Sequence, residues 1–409
     1  MKQNVCVIGG GAAGFFCAVN VARMNRSLNV VLLERSSKLL SKVKVSGGGR
    51  CNVTHACFSI SDMAKRYPRG GNFLKRSFSA FFTTDTIRWF AERGVELKTE
   101  DDGRMFPVTD NSQSIINCLL DEASKYNVDV RLNTSVTAID KRNEKWAVQT
   151  AAGKDEVFDH LVVACGGFPK ADQFQWICKT GHTISPPVPS LFTFNIPGNS
   201  ITELMGIAQH AAVKIKGTKF REEGALLITH WGFSGPAVLR LSAWAARALA
   251  EQQYKFTVII NWLPAFHENS CREAIVNMRH EHPSQKTGKS NPFSMPARLW
   301  HYFLSLADVS PDTRWADLTA KSQNVMARLL TGSEFNISGK TTFKEEFVTA
   351  GGINLDEIDA LTMQSKLHDA LYFAGEIMNV DGITGGFNFQ HAWTSGYLAA
   401  YSIANKTQI

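Results

Sequence analysis

The 409-residue chain lacks the patterns that mark several classes of protein. No apolar run approaches the roughly 18 residues of a membrane-spanning helix, so we expect no membrane span. The 8 cysteines are scattered without a CxxC pair, which argues against a disulfide framework, and no Cys/His cluster predicts a metal site. The first apolar strand begins at about residue 4, so a signal peptide has no room. These absences favour a reducing, cytoplasmic location.

Positive charge is distributed unevenly along the chain. The formal net charge is +7, and residues 1–100 contain 16 Lys and Arg against 6 Asp and Glu. We name residues 42–76 the basic segment, because Asp62 is its one acidic residue. Its basic residues are Lys42, Lys44, Arg50, Lys65, Arg66, Arg69, Lys75 and Arg76. The pattern favours a solvated face near an anionic cofactor; the alternative is a docking surface for NADPH or RNA.

A glycine-rich turn follows the first predicted strand, residues 4–8. Gly9 permits a tight turn, Gly11 lets a pyrophosphate approach the backbone, and Gly14 allows the next helix to pack closely on the sheet. The helix N-terminus offers free N–H groups to phosphates. Glu34 ends the second strand, where a carboxylate accepts hydrogen bonds from a ribose. Together these features predict a bound dinucleotide.

A second glycine pattern lies near the other end of the chain. An apolar strand runs into Gly375-Glu376, Asp381 follows, and Gly385-Gly386-Phe387-Asn388 opens a final helix. One β-α-β unit cannot bury a whole FAD, so this second pattern predicts the other half of a flavin site. A helix N-terminus facing the flavin ring would stabilise negative charge on reduced flavin.

The order of the remaining elements predicts a discontinuous α/β protein. A hairpin over 147–159 and a buried strand over 161–167 favour a flavin-binding Rossmann variant, and residues 36–60 read as a loop. We predict a Rossmann-type FAD-binding domain with an inserted β-barrel domain and a nested small helical domain. The predicted boundaries are 1–190 and 346–409 for the FAD-binding domain, 191–262 and 331–345 for the barrel, and 263–330 for the helical insert.

The sequence resembles the BaiN/RdsA (YhiN-like) family of NAD(P)/FAD-dependent oxidoreductases over nearly its whole length. The resemblance rests on the turn over 7–14, on the Ser-Gly-Gly-Gly-Arg-Cys-Asn loop over 46–52, which is its most specific element, and on the segment 373–397. Further matching segments are 103–107, 229–236 and 348–352. The chain departs from the family at His55, where asparagine is common, and in a shortened loop over 168–174.

The resemblance implies a set of FAD-contacting positions in this chain. We expect contacts near both glycine patterns, in the 46–52 loop and after two predicted strands. These positions are Gly9, Gly11, Ala12, Ala13, Gly14, Glu34, Arg35, Lys42, Ser46, Gly47, Gly48, Gly49, Arg50, Cys51, Asn52, Val136, Ala164, Cys165, Gly166, Gly375, Glu376, Asp381, Gly385, Gly386, Phe387 and Asn388.

The leading functional prediction is hydride transfer from NAD(P)H through flavin N5 to an electron-poor C=C or C=N bond of a small molecule. NAD(P)H would dock without a Rossmann domain of its own, since the sequence has no second GxGxxG. The alternatives are reduction of a ribosomal RNA base and an amine oxidase that uses O2. Candidate substrate-side residues are Arg104, His230 and Asn388. Cys51 beside Arg50 is either a packed thiol or one with a lowered pKa.

Overall fold

The computed structural model describes residues 2–342 and 348–406, and the chain divides into two compact units. The first unit is Met1–Ser190 with Phe343–Ile409, and the second is Leu191–Thr342. The predicted domain ends at residues 345 and 346 lie outside the described residues. The division into three domains therefore stays a prediction.

The strands, in chain order, are β1 (Asn4–Ile8), β2 (Asn29–Leu33), β3 (Thr54–His55), β4 (Leu97–Thr99), β5 (Arg104–Pro107), β6 (Asp129–Arg131), β7 (Val136–Arg142), β8 (Lys145–Thr150), β9 (Asp155–Phe158), β10 (His160–Val163), β11 (Ile184–Ser190), β12 (Thr193–Asn195), β13 (Ala208–Ile215), β14 (Arg221–Thr229), β15 (Gly232–Ser234), β16 (Lys255–Asn261), β17 (Ser333–Ser338), β18 (Lys340–Thr341), β19 (Val348–Ile353) and β20 (Leu371–Phe373). The helices are α1 (Ala12–Met24), α2 (Ser41–Gly49), α3 (Ile60–Ala64), α4 (Gly71–Phe78), α5 (Thr83–Ala91), α6 (Ser112–Lys125), α7 (Gln175–Cys178), α8 (Pro236–Trp244), α9 (Ala246–Glu251), α10 (Glu268–Glu281), α11 (Ala297–Leu306), α12 (Ala320–Gly332) and α13 (Phe387–Lys406).

A parallel sheet forms the centre of the first unit, in the order β20-β10-β1-β2-β6. Ile8 lies opposite Val163 on one side and Leu33 on the other, so the three apolar strands end at the same edge. β1, β10 and β20 are almost entirely buried, as expected for parallel strands covered on both faces. The predicted α/β Rossmann-type architecture is confirmed.

Two helices from opposite ends of the chain pack closely on this sheet. Helix α1 is apolar along nearly its whole length and lies against α13. A Cβ atom at Gly396 would lie 2.6 Å from the carbonyl oxygen of Ala13, so only glycine lets the two backbones approach this closely. Helices α1 and α13 therefore belong to one core.

The remaining elements of the first unit include one correction. The predicted hairpin is present as β8 and β9, and β7 adds a third antiparallel strand. The expected loop over 36–60 contains helix α2 instead, because Ser41–Val45 can form a helical turn before the chain reaches the glycines. Gly47 and Gly48 then take left-handed backbone angles and interrupt the helix.

The second unit contains an antiparallel sheet in the order β17-β16-β13-β14-β15-β12-β18, together with helices α8 to α12. Helices α10, α11 and α12 lie almost entirely within the segment 263–330, which was predicted to be helical. Apolar side chains from the sheet and the helices form one core, which includes Phe233, Trp262 and Trp300. The predicted barrel closure stays a prediction. Among the described residues, no helix combines the length and apolar character needed to cross a bilayer.

The contact between α1 and α13 gives the first prediction. Replacing Gly396 by alanine should lower stability by about 1–3 kcal/mol, because the added methyl group would press on the Ala13 carbonyl. Gly332, at the end of α12, has open space where its Cβ would lie, so Gly332→Ala is the matched control. Urea unfolding of both variants measures the difference. Equal loss in both variants would show that the contact at Gly396 is not critical.

Candidate functional site

The turn between β1 and α1 is shaped by three glycines with different tasks. A Cβ at Gly9 would lie 2.4 Å from the Ala164 oxygen, and a Cβ at Gly14 would lie 1.9 Å from the Gly9 oxygen. Gly11, by contrast, faces open space within 4 Å. It is also the N-cap of α1, and no side chain caps the helix there. The turn therefore leaves a clear approach to the positive end of α1, which suits a phosphate.

Glu34 links this turn to the loop after β2. Its Oε2 accepts a hydrogen bond from the Gly10 N–H at 2.8 Å. Its Oε1 accepts from the Ser36 N–H at 2.9 Å and the Ser36 hydroxyl at 2.8 Å. A carboxylate offers about four acceptor sites, so Glu34 keeps capacity for a further donor such as a ribose hydroxyl.

The Gly375-Glu376 turn packs beside the first glycine turn. A Cβ at Gly375 would lie 2.7 Å from the Ala13 Cβ. Two residues of α13 hold its backbone: the Gly375 N–H donates to Ser395 Oγ at 2.9 Å, and His391 Nε2 lies 3.1 Å from the Gly375 oxygen. Burial lowers the pKa of His391 to about 4, so this imidazole is neutral at pH 7 and Nε2–H is the donor.

The Glu376 carboxylate joins three separate segments of the first unit. One oxygen lies 2.5 Å from Lys42 Nζ, and the other accepts from the Thr349 N–H at 2.9 Å. A Cβ at Gly167 would lie 3.0 Å from Oε1 and 2.6 Å from Thr349 Oγ1, which places the end of β10 against this cluster. Just before it, Gly166 has a φ of +76° and faces open space. The structure thus brings the predicted positions 164–166, 375–376 and Lys42 together.

The loop over 46–52 has an unusual backbone. Gly47, Gly48, Gly49 and Cys51 all have positive φ angles, of 59°, 69°, 86° and 63°. A left-handed conformation is costly for cysteine, so the surrounding packing has to impose it. Burial raises the pKa of the Cys51 thiol to about 12, which keeps it protonated at pH 7. The structure therefore favours a packed thiol at Cys51 over a reactive thiolate.

Two arginines near this loop share one carboxylate. Arg50 Nη1 lies 2.5 Å from Glu100 Oε1, and Arg104 Nη2 lies 2.9 Å from Glu100 Oε2. The Arg50 guanidinium also stacks over the Phe106 ring at 4.0 Å. Arg104 is further paired with Asp102 at 2.7 Å. The candidate Arg104 is thus engaged by two carboxylates, which fix the outer wall of the 46–52 loop.

Asp381 is held by residues that the sequence did not connect with it. Its carboxylate pairs with the Arg69 guanidinium and accepts from Ser190 Oγ at 2.9 Å. The Asp381 side chain is 0% exposed and that of Arg69 is 14% exposed. Burial raises the pKa of Asp381, and the Arg69 cation acts against this shift. Arg69 is therefore a structural residue and does not belong to the exposed part of the basic segment.

The turn before α13 is braced from several sides. The Asn388 side chain accepts from the Gly382 N–H at 2.8 Å and donates to the Gly382 oxygen at 2.9 Å. Tyr67 Oη donates to the Phe387 oxygen at 2.6 Å. A Cβ at Gly386 would lie 2.4 Å from the Thr54 oxygen, which brings the segment after the 46–52 loop against this turn. The candidate Asn388 is thus a residue that fixes the loop.

His55 is the residue at this turn that the sequence analysis did not select as a functional candidate. Its ring stacks on Phe387 with centroids 4.7 Å apart, and Nδ1 lies 3.0 Å from the Gly385 oxygen. It pairs with Arg104 across β3 and β5. Burial lowers the pKa of His55, which favours the neutral imidazole at pH 7. Only its departure from the family pattern singled this position out in the sequence.

The remaining candidates are Val136, Arg35 and His230. Val136 begins β7. It lies two residues after Thr134, whose N–H donates to the backbone carbonyl oxygen of Glu34 at 2.8 Å. Arg35 is exposed directly after Glu34. His230 is exposed in the turn between β14 and β15 of the second unit, with its ring against Trp231. Within the described residues, no group of three His, Cys, Asp or Glu side chains is arranged to hold a metal ion.

The parallel sheet, the open glycine turn and Glu34 define a dinucleotide-binding protein of the Rossmann class. Residues 3–402 match the family model described as "HI0933-like protein Rossmann domain", and the chain belongs to this family. It is a flavin-dependent oxidoreductase, as predicted. The chain is 30% identical to a ribosomal RNA dihydrouridine synthase of Escherichia coli, covering 98% of each chain. It is 27% identical to a 3-dehydro-bile acid delta(4,6)-reductase of Clostridium scindens, covering 99% of this chain and 100% of the relative.

Solved structures show the same fold. A 3-ketosteroid delta1-dehydrogenase from Sterolibacterium denitrificans superposes with a TM-score of 0.53 at 12% identity, covering 99% of this chain and 100% of that one. The architecture is therefore an α/β Rossmann-type FAD-binding fold, as predicted.

The buried pair of Asp381 and Arg69 gives the second prediction. Asp381→Asn should lower stability by about 3–5 kcal/mol, because the mostly buried guanidinium would lose its carboxylate. Asp62→Asn is the control, since Asp62 pairs with Lys65 where both side chains are more than half exposed. That change should leave stability nearly unchanged, because a solvent-exposed ion pair contributes little. Thermal unfolding compares the two variants, and equal melting temperatures would contradict a structural role for Asp381.

Proposed function

We propose that the two glycine turns, the 46–52 loop and the turn before α13 together hold one FAD. The fit rests on the open space at Gly11, Gly48, Gly49 and Gly166, where side chains would otherwise fill the approach. The positions expected from the resemblance are retained as the proposed contacts, with three roles revised. Arg50, Asp381 and Asn388 shape the site through their side-chain partners.

The chain's own groups supply charge and orientation to this cofactor. The uncapped N-terminus of α1 receives the pyrophosphate, and Glu34 accepts from the adenosine ribose. The N-terminus of α13 would favour negative charge on a flavin ring bound beside it. Bound FAD supplies hydride transfer, which none of these side chains can perform. The braces from Tyr67, His55 and Asn388 keep the first turn of α13 in place.

The proposed reaction is reduction of an electron-poor C=C bond, with NAD(P)H as the hydride donor. The observation that carries it is the convergence of both glycine turns on one site. Two of the full-length relatives, a ribosomal RNA dihydrouridine synthase and a 3-dehydro-bile acid delta(4,6)-reductase, support it by their names. Uracil and a 3-oxo-4,6-diene share one feature, a C=C bond conjugated to a carbonyl. The sequence predicted reduction of a C=C or a C=N bond. We now propose that the reduced bond is a C=C bond conjugated to a carbonyl group. An amine oxidase activity is not favoured by any of these observations.

The leading substrate is a small conjugated carbonyl compound. The second candidate is a ribosomal RNA base, and two observations favour it. One relative carries that activity in its name, and several residues of the basic segment remain exposed in the structure. We also propose that the second unit is the inserted barrel with its nested helical domain, at the boundaries predicted from the sequence.

Glu34 tests the proposed cofactor site. Glu34→Ala should weaken FAD binding by about 1–3 kcal/mol, because it removes an acceptor from the ribose and leaves the Gly10 and Ser36 donors without a partner. The exposed Glu144→Ala, in the turn between β7 and β8, is the control. Titration of the apoprotein with FAD measures both affinities. Purified wild-type protein that shows no flavin absorbance even after reconstitution would refute the proposed cofactor.

The reductase proposal is tested by two half-reactions measured without oxygen. NADH or NADPH should bleach the flavin absorbance, and a conjugated enone or uridine-containing RNA should restore it. The opposite outcome would be slow reduction by both nucleotides together with rapid H2O2 release from amines in air. That result would contradict the reductase assignment and support an amine oxidase.

A further inference from the structure

An open groove of about 650 Å³ runs along α4 in the first unit. We name it the α4 groove. One wall comes from residues 64–76, which include α4, and the other from residues 355–366. The side chains that characterise it are Lys65, Phe73, Lys75, Arg76, Asp356 and Lys366. Its size is that of a site for a nucleotide-sized ligand.

The charge of the α4 groove is mainly positive. Lys75 and Arg76 are exposed in the last turn of α4. Lys366 is exposed on the opposite wall, and its Nζ donates to the backbone carbonyl oxygen of Asp356 at 2.9 Å. Asp359 also lines the groove, but Oδ1 of its carboxylate already accepts from the Leu361 and Thr362 N–H groups. Four basic side chains, Lys65, Lys75, Arg76 and Lys366, thus face two carboxylates, Asp356 and Asp359, and the groove keeps a positive balance.

The groove also offers an aromatic side chain. Phe73 is half-buried on α4, next to the exposed Asn72. An aromatic ring beside exposed cations is the combination by which proteins hold single-stranded nucleic acid, because a base stacks on the ring and the cations contact phosphates.

Two residues that line the groove also contact the start of α13 or the segment just before it. Tyr67 lines the groove and donates to the Phe387 oxygen at the first residue of α13. Gly70 also lines it, and a Cβ there would lie 2.6 Å from Val380 Cγ2, next to Asp381. A nucleic-acid strand lying in the groove would therefore be separated from the turn before α13 by Tyr67 and Gly70.

We propose that the α4 groove binds single-stranded RNA and holds the strand that delivers a base to the flavin site; this inference rests on the RNA form of the proposed function. A base has to leave its helix to be reduced, and a flipped base needs its flanking phosphates held nearby. Lys75, Arg76 and Lys366 contact these phosphates, and Phe73 stacks on a neighbouring base. Arg69 takes no part, because its guanidinium faces Asp381.

The test replaces Lys75, Arg76 and Lys366 together by glutamine. The control replaces Lys141 and Lys154, two exposed lysines at β7 and before β9, in the same way. The probe is a labelled single-stranded RNA of twelve nucleotides containing uridine, and its affinity is measured across salt. The triple variant should lose at least about tenfold in affinity at low salt, and its log–log salt slope should fall by roughly 2, since each lost phosphate contact removes about 0.7. The control should match the wild type.

Three outcomes would overturn the proposal. The first is an unchanged salt slope in the triple variant, and the second is a wild type that does not bind the RNA. The third is a raised KM for NADPH with an unchanged KM for NADH, which would assign the groove to the 2′-phosphate of NADPH. Flavin reduction by NADH is measured in every variant and should stay unchanged. RNA binding without any C=C reduction would refute the proposed reaction while leaving the groove assignment intact.

Discussion

The close approach of α1 and α13 is the contact on which the first unit depends. At Gly396 the second helix touches the backbone of the first, and the Gly375 turn is held against both. Gly396 lets the two backbones meet at one point, and side-chain packing such as that of Phe16 on Trp393 holds the helices along the rest of the contact, so the positions of both helix N-termini are fixed together. One terminus faces the open glycine turn and the other follows the 382–386 turn, so their separation cannot vary without breaking the core.

Sequence patterns predicted the parts of this site that are determined locally. The glycines at 9, 11 and 14 and the carboxylate at Glu34 lie within a single β-α-β unit, where spacing alone places them. The sequence also predicted the buried strand before Gly375 and the helix after Gly386, because apolar runs and glycine turns are local signals. The loop over 36–60 was misread because α2 is short, lysine-rich and interrupted by its own glycines.

The contacts that shape the site between these elements were not predictable. Arg69 and Asp381 are separated by 312 positions, and Val53 and Trp393 by 340, so no periodicity relates them. In the sequence, Arg69 looked like one more basic residue of an exposed segment. Glu100 has no motif of its own, yet it fixes two arginines at once. A charged residue can be buried only where a partner of opposite charge is close. That partner can be identified only once the fold is known.

The position of α13 in the chain has a consequence for synthesis. The apolar face of α1 is made among the first residues, but the helix that covers it follows more than three hundred residues later. During translation the ribosome therefore carries a nascent chain with an uncovered apolar helix until α13 emerges. Such a surface is prone to aggregation and is the kind that chaperones bind. The contact that makes the first unit compact thus makes its folding wait until α13 has been synthesised.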